Sequence, residues 1–407
     1  MKIVYLHQYF KFPTESGGTR SYDLATGFLK KDYVVEVITS TSDISLKSKK
    51  KWLSINKDGL IVHYIYLPYG NHLSYFKRAI VFFQFLWYAS FKLLSIKCDT
   101  VLATSTPLTI AIPALFKKWR HNTPFIFETR DVWPEAVIAI GAIKNNGMKK
   151  LLFFLEKIIY KNATAIVPLS VDMKKSIVSR YPSLANQKSI EVIENIAEIN
   201  RFQNDFSNET AILKNTIGFQ PRFSVLYAGT FGRVNGIDYV VNLAEKTLPL
   251  DDSIVYILIG AGALKKEVKA LAAEKKVLNK NLFILDAISK QELPQWYFEA
   301  SMGSSFVIPI QELWANSANK FFDTLAAGKP ILINHPGWQK ETIEKENVGY
   351  VLPKVLTDNK VKEFVKYTQD TGLIKEQQTN ALKLGINRYS LKLAVEKYTR
   401  LFDIIRK

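Results

Sequence analysis

Asn316, Asn319, Lys320 and Asp323 fall in one short stretch whose spacing suits the start of a helix that meets an anion. Asn316 or Ser317 can cap that helix, and Phe321, Phe322, Leu325 and Ala326 recur on one side of it. Gly328 ends it, and Pro330 keeps it from running on into a strand predicted at 331–333. The first N–H groups of a helix have no partner within it, so beside Asn319 and Lys320 they offer a place for a phosphate. Asp323, one turn further along, is placed to meet a polar head. An ordinary αβ unit with a surface lysine has the same pattern.

A second group of charged residues, Glu128, Arg130, Asp131 and Glu135, surrounds Trp133-Pro134 where a strand predicted at 124–128 should end. In open α/β sheets ligands bind beyond the carboxyl ends of the strands, which makes this cluster a candidate site. A simple Arg130–Asp131 ion pair is the plainer alternative. Gly17 and Gly18, just ahead of Arg20 and a helix at 19–29, allow close backbone approach to a ligand. The spacing is not G-x-G-x-x-G, so the dinucleotide fingerprint is absent. Gly229, Thr230, Gly232 and Arg233 form a further glycine-rich loop with a positive charge, and Gly260 belongs to another at 259–262.

The elements that must carry these loops alternate. Strands are predicted at 3–9, 34–39, 60–66, 100–103, 124–128, 165–169 and 189–193, with helices between them, then a polar linker at 200–216. Beyond it strands at 223–227, 254–260, 281–285 and 306–310 again alternate with helices. This pattern predicts two α/β domains, each a parallel sheet covered on both faces, and 407 residues exceed what one core normally serves.

Residues 73–97 stand apart, because between 79 and 96 only Gln84, Ser90, Lys92 and Ser95 interrupt an aromatic, apolar series. Lys77, Gln84, Tyr88 and Lys92 share one narrow face of the predicted helix. A membrane span needs ~20 apolar residues, and a crossing here would split a sheet, so the segment reads as a buried or interfacial helix. Residues 147–161 are amphipathic with lysines around an apolar side, which suits an anionic membrane surface or an ordinary surface helix.

Composition narrows the classes. A single cysteine, Cys98, excludes an internal disulfide, and five histidines without metal-ligand spacing argue against a zinc enzyme. The lysine run at 47–51 reads as a solvated loop, while the net charge of +18 favours a polyanion or an anionic membrane. No recognised nucleic-acid-binding motif is present, and the aromatics lie in apolar runs, so nucleic acid is not an expected partner. The first residues read as a core strand and not as a signal segment, so the expected location is cytoplasmic, peripheral on the inner face of the cell membrane.

Taken together, His7-Gln-Tyr-Phe with Ser16-Gly-Gly-Thr-Arg20, the 128–135 loop, Tyr227-Ala-Gly-Thr-Phe-Gly232 and the 319–330 stretch resemble glycosyltransferases of the GT-B fold, family 4. The likeness is greatest to members that build O-antigen and capsule polysaccharide, some of which transfer N-acetyl-fucosamine. The resemblance implies two Rossmann-like doubly wound domains facing a central cleft: an acceptor domain at 1–200, a nucleotide-sugar domain at 201–388, and a helix at 389–407 that crosses back. It implies a UDP-sugar donor, a lipid-diphosphate-linked or other glycan acceptor, retention of configuration, and neither cofactor nor metal.

Three departures from the family pattern stand out. Thr230 and Asn235 occupy positions where relatives grip the diphosphate with arginine and lysine, so Arg233 and Lys320 are expected to supply charge. Asp323 stands for the second of two glutamates and Ala315 near the first, with Glu312 or Asn316 available as substitutes. Arg130-Asp131 replaces His-Asp, and Asp131 is expected to orient or deprotonate the acceptor hydroxyl with Arg130 or Glu128 holding it. The rival readings are a sugar-nucleotide epimerase on the same fold, a basic nucleic-acid-binding protein, and a non-catalytic membrane-surface scaffold.

Overall fold

The computed structural model describes residues 1–68, 75–105, 107–206 and 211–406, apart from the side chains of 75–79. Eight strands form the first sheet: β1 (Lys2–Leu6), β2 (Val34–Thr41), β3 (Trp52–Lys57), β4 (Leu60–Tyr66), β5 (Thr100–Thr104), β6 (Phe125–Thr129), β7 (Ala165–Pro168) and β8 (Ser189–Ile190). Their order is β3-β4-β2-β1-β5-β6-β7-β8, parallel throughout except for the β3–β4 pair. The second sheet is wholly parallel: β9 (Phe223–Ala228), β10 (Ile254–Ile259), β11 (Leu282–Leu285), β12 (Met302–Ser305), β13 (Ile331–Ile333) and β14 (Gly349–Val351), in the order β11-β10-β9-β12-β13-β14. Both are doubly wound. The strand order reverses between β1 and β5 in one sheet and between β9 and β12 in the other, and crevices open at such points.

Six helices shape the cleft and the outer face of the first domain: α1 (Arg20–Leu29), α2 (Tyr75–Ser95), α3 (Ala111–His121), α4 (Asn146–Asn162), α5 (Asn319–Ala326) and α6 (Leu391–Arg406). Central strands are apolar along their length, as Ile3, Val4, Tyr5 and Leu6 in β1 illustrate, because helices cover both faces. Helices α2, α3 and α4 pack on one face of the first sheet in a shared core with Phe85, Leu115 and Ile159. On the other face α1 and α6 pack together, with Phe28 5.5 Å from Tyr398 and 5.2 Å from Phe402, ring centre to ring centre. Gly27 lets them meet this closely, since a Cβ there would lie 2.5 Å from Val395 Cγ2.

The antiparallel edge strand β3 is absent from the sequence reading. Its signal is Asp58-Gly59, a two-residue hairpin turn with φ of 54° and 79° joining it to β4. β1 stops at Leu6 and not at residue 9, β8 is two residues long, and β12 ends before Phe306. The 200–216 stretch is no plain linker, since helical turns occupy Ile199–Phe202 and Ile212–Ile217, while 207–210 lie outside the described residues. The predicted start of the 73–97 helix, at 73–74, and the Lys77 side chain also lie outside them. From residue 80 onward α2 is apolar on two sides: Val81, Phe85, Ala89 and Leu93 are core, while Phe83, Trp87 and Phe91 are exposed.

A polar link adds to this apolar packing in fastening α6 to the first domain. Arg20, at the start of α1, donates to the Glu128 carboxylate through Nε at 3.1 Å and Nη2 at 2.8 Å, and also to the carbonyls of Ile193 and Glu194. Glu128 also accepts from Thr104 and from the hydroxyl of Tyr398 on α6. Burial alone would raise the Glu128 pKa, but the adjacent guanidinium and these hydrogen bonds override it and hold the pKa down to about 2. Replacing Glu128 with Gln leaves the Arg20 charge buried without its counter-ion, and stability measured by guanidinium unfolding should fall by roughly 3–5 kcal/mol. Because the folded pKa lies below the unfolded value of 4.5, the carboxylate's contribution is complete above that value and is lost as pH falls through about 2. A variant as stable as the parent at pH 7 would contradict this role.

Candidate active site in the interdomain cleft

The carboxyl ends of both sheets face one cavity of about 690 Å³. Its first wall comes from the first domain: His7 beyond β1, Gly17 and Gly18 ahead of α1, and Arg130 and Asp131 beyond β6. The second wall comes from the second domain: Gly229, Thr230 and Asn235 beyond β9, Gly260 beyond β10, Ser305 at the end of β12, and Asn316, Asn319, Lys320 and Asp323 at or ahead of α5. Residues more than 300 positions apart in the chain thus share one space.

The start of α5 forms as the apolar spacing predicts, with Phe321, Phe322, Leu325 and Ala326 all buried. Its cap differs. The N-cap position is Ala318, with no side-chain cap, because Asn316 donates instead to the Leu313 carbonyl at 2.6 Å. Ser317 faces Asn195, whose amide donates to the Ser317 carbonyl. The first amides of α5 are therefore not covered by a capping side chain and lie beside the cavity. Lys320 Nζ sits 4.9 Å over the Tyr227 ring, and a Cβ on Gly229 would come within 3.2 Å of it. Burial pushes the Lys320 pKa down to about 8, with Asp323 pulling weakly the other way.

Two close approaches depend on glycine. A Cβ at Gly18 would lie 2.3 Å from Asn319 Nδ2, so this residue lets the first domain's loop touch the start of α5. Gly260, at φ 159°, would place a Cβ 1.8 Å from the Gly229 carbonyl. Any side chain there would force apart the two glycine loops that line the second wall.

Asp323 is buried and ion-paired with Lys290. The backbone N–H of Lys290 donates across the cleft to the Glu15 carbonyl at 3.1 Å, and that of Gln291 to the Pro13 carbonyl at 3.2 Å. Lys290 therefore joins the two domains while placing an ammonium in the cavity. On the opposite wall Arg130 Nη1 lies 3.5 Å from His7 Nε2. Arginine only donates, so Nε2 accepts and the imidazole proton belongs on Nδ1, a buried atom with no hydrogen-bond partner among the described residues. Burial, aided by Arg130, drives the His7 pKa down to about 3, which keeps the ring neutral at neutral pH.

Four sequence candidates are placed elsewhere. Glu128 and Arg20 do not line the cavity; they are 0% and 3% exposed and engaged with each other. Glu128 lies on the same face of β6 as Ile126, toward α1 and α6, so it does not hold Asp131. Arg233 is exposed at the start of a short turn, and neither it nor Gly232 lines the cavity, which Val234 and Asn235 face instead. Residues that sequence reasoning missed are His7, Lys290, Asn195 and Ser305, all lining the cavity. His7 follows the strand only because β1 stops at Leu6 and not at residue 9, so the carboxyl-end rule applied to the predicted strand passed over it; Lys290 has no local signal. Among the described residues no group of three or more His, Cys, Asp or Glu side chains is placed to hold a metal ion.

Residues 17–201 match the model of Glycosyltransferase Family 4, and residues 212–383 match that of Glycosyl transferases group 1. An uncharacterised glycosyltransferase of Methanocaldococcus jannaschii is 25% identical over 215 residues, covering 53% of this chain and 49% of that one. The matched region thus spans about half the length of that relative. Among solved structures, sucrose-phosphate synthase of Thermosynechococcus elongatus superposes with a TM-score of 0.75 at 13% identity, over 99% of this chain and 98% of its own. Anabaena HepE in complex with UDP-glucose gives 0.72 at 14% identity, over 99% of each. At these identities the likeness is one of fold.

An anion bound at α5 would need Lys320 protonated. Its affinity should therefore decline as pH rises through about 8, read by calorimetric titration of a nucleoside diphosphate between pH 7 and 9.5. Lys320→Ala should weaken binding at pH 7 by about tenfold or more, on the order of the ~1.5–3 kcal/mol of a charged hydrogen bond. Equal affinity across that pH range in the unsubstituted protein would remove Lys320 from the site.

Proposed function

Because the chain belongs to the glycosyltransferases of the GT-B fold, we propose that it moves a sugar from a UDP-sugar onto a lipid-diphosphate-linked glycan acceptor in surface-polysaccharide synthesis. The observation that carries this reading is the pairing of an anion-suited wall, built from α5, Lys320 and the Gly229 loop, with a separate Arg130–Asp131–His7 wall across one cavity. A donor and an acceptor need such opposed surfaces. The sugar is an N-acetyl deoxyhexosamine in this proposal, on the strength of the motif resemblance alone, and retention of configuration has the same basis.

In the transfer the bond from the anomeric carbon to the diphosphate oxygen breaks, and the acceptor oxygen bonds to that carbon. The departing diphosphate gains charge, so preorganised donors at that oxygen matter most. Lys320, the first amides of α5 and the Gly229–Thr230 backbone supply them without metal. Asp323 accepts from ribose or sugar hydroxyls, steadied by Lys290, which replaces Arg233 as the second cation of the donor wall. Asp131 orients the acceptor hydroxyl and takes its proton, while Arg130 and the neutral His7 fix the acceptor on that wall. A lipid-linked acceptor brings the enzyme to the inner face of the membrane, in keeping with the net charge of +18.

The donor can be found by thermal-shift screening of UDP- and GDP-sugars, since a ligand that binds the native state stabilises it by mass action. Asp131→Asn should keep the UDP-induced shift and lower kcat by about a hundredfold or more, the scale of general-base catalysis. Unchanged turnover would remove Asp131 from its role. Epimerisation of the donor in the absence of any acceptor would replace transfer with the rival activity on this fold.

A further inference from the structure

The same molecule carries a second surface, remote in kind from the polar cleft. Six aromatic side chains, Phe83, Trp87 and Phe91 on α2, Phe116 and Trp119 on α3, and Phe154 on α4, are between 46% and 70% exposed. Among the described residues these are all the Phe and Trp side chains more than 45% exposed, and all lie on three helices that cover one face of one sheet. Trp87 and Phe91 meet edge to face at 5.1 Å, and Phe116 and Trp119 at 5.9 Å, so they form pairs instead of isolated exposed rings. Exposed apolar residues elsewhere, such as Val355 and Ile404, are scattered singly. A concentrated apolar patch of this kind marks an interaction surface.

Charge decides which surface it fits. The sequences of α2, α3 and α4 contain ten lysines and arginines and a single carboxylate, Glu156. That carboxylate is 0% exposed and paired with Arg180, so these helices present no exposed acid. Arg120, Lys150 and Lys157 are exposed beside the aromatics, and Lys51 reaches in from a neighbouring loop to lie 3.8 Å over the Tyr88 ring. A second copy of the chain offering this same face would bring like charges together, whereas anionic lipid headgroups would neutralise them. No helix among the described residues is long and apolar enough to cross a membrane, so the face suits an interface and not a span.

We propose that the outer face of α2, α3 and α4 docks on an anionic phospholipid bilayer, its aromatic rings entering the headgroup–acyl boundary and its lysines and arginines meeting the lipid phosphates. Tryptophan and phenylalanine suit that depth, and combined apolar and electrostatic attraction gives reversible binding. The purpose of this docking, bringing the cleft to a lipid-linked acceptor, rests on the function proposed above; the docking itself does not.

The test is flotation of the full chain with vesicles of phosphatidylcholine, with and without phosphatidylglycerol, at low and high salt. The unsubstituted protein should float with the anionic vesicles at low salt and far less with neutral ones. Trp87→Ser combined with Phe91→Ser should reduce partitioning about tenfold or more, and Lys150→Glu combined with Lys157→Glu should do the same at low salt. Both variants should keep the parent's thermal unfolding temperature and its UDP-induced shift, which separates lost docking from lost folding. The proposal is overturned if the parent stays in solution with anionic vesicles, or if the aromatic variant floats as well as the parent. It is equally overturned if sedimentation shows a dimer that the aromatic variant dissolves while vesicle binding is absent. Vesicle binding by a protein that binds no nucleotide sugar would leave the docking face standing and reject the function.

Discussion

One buried ion pair ties together the glycine loop, the Arg130–Asp131 turn and the segment before Asn195 on the first wall. Arg20 begins α1 directly after Gly17 and Gly18, Glu128 lies two residues before Arg130, and the guanidinium also holds the carbonyls of Ile193 and Glu194 next to Asn195. Tyr398 closes the cluster from a helix that follows the second domain in sequence. A charge pair with almost no exposure has no water to fall back on, so its geometry admits few alternatives. The glycine loop, the Arg130–Asp131 turn and the returning helix are thus fixed relative to one another by a contact that takes no part in the cleft itself.

The two walls of the cleft carry their charge differently. Lys320 keeps a lowered pKa because it is desolvated, so an incoming phosphate relieves a cost that burial has already imposed. His7 is neutral for the same reason on the other wall, where Arg130 and Lys11 are the cations. Lys290 connects the two halves: its backbone N–H, with that of Gln291, holds the Pro13–Glu15 loop while its side chain neutralises Asp323. The contact between the domains and the charge balance of the second wall therefore share a residue.

Legibility in the sequence followed the range of the interaction. The α5 helix, its apolar side and its break at Gly328 and Pro330 were readable because each depends on neighbours within a turn. Its cap was misread because Asn316 and Ser317 answer to Leu313 and Asn195, partners set by the tertiary path. Arg233 looked like a site cation from its loop, yet the loop turns Val234 and Asn235 inward. The aromatic series of α2 was visible, but whether it was core or surface was not, and the folded helix makes it both.

What the sequence determined by itself was the alternation of apolar runs with glycine-bounded helices, hence two parallel-sheet domains, because strand and helix periodicity are local properties of the chain. It also placed Lys320 and Asp323 at a helix start and Asp131 beyond a strand end. Only the tertiary structure decided which charges face the cleft. Glu128 and Asp131 are three residues apart, and strand alternation with the packing of α6 sends the first inward to Arg20 while the loop carries the second to the cavity. Lys290 joined the site for the same reason, since a contact between a loop after β11 and residues 13–15 has no trace in local pattern and exists only once both domains have closed on each other.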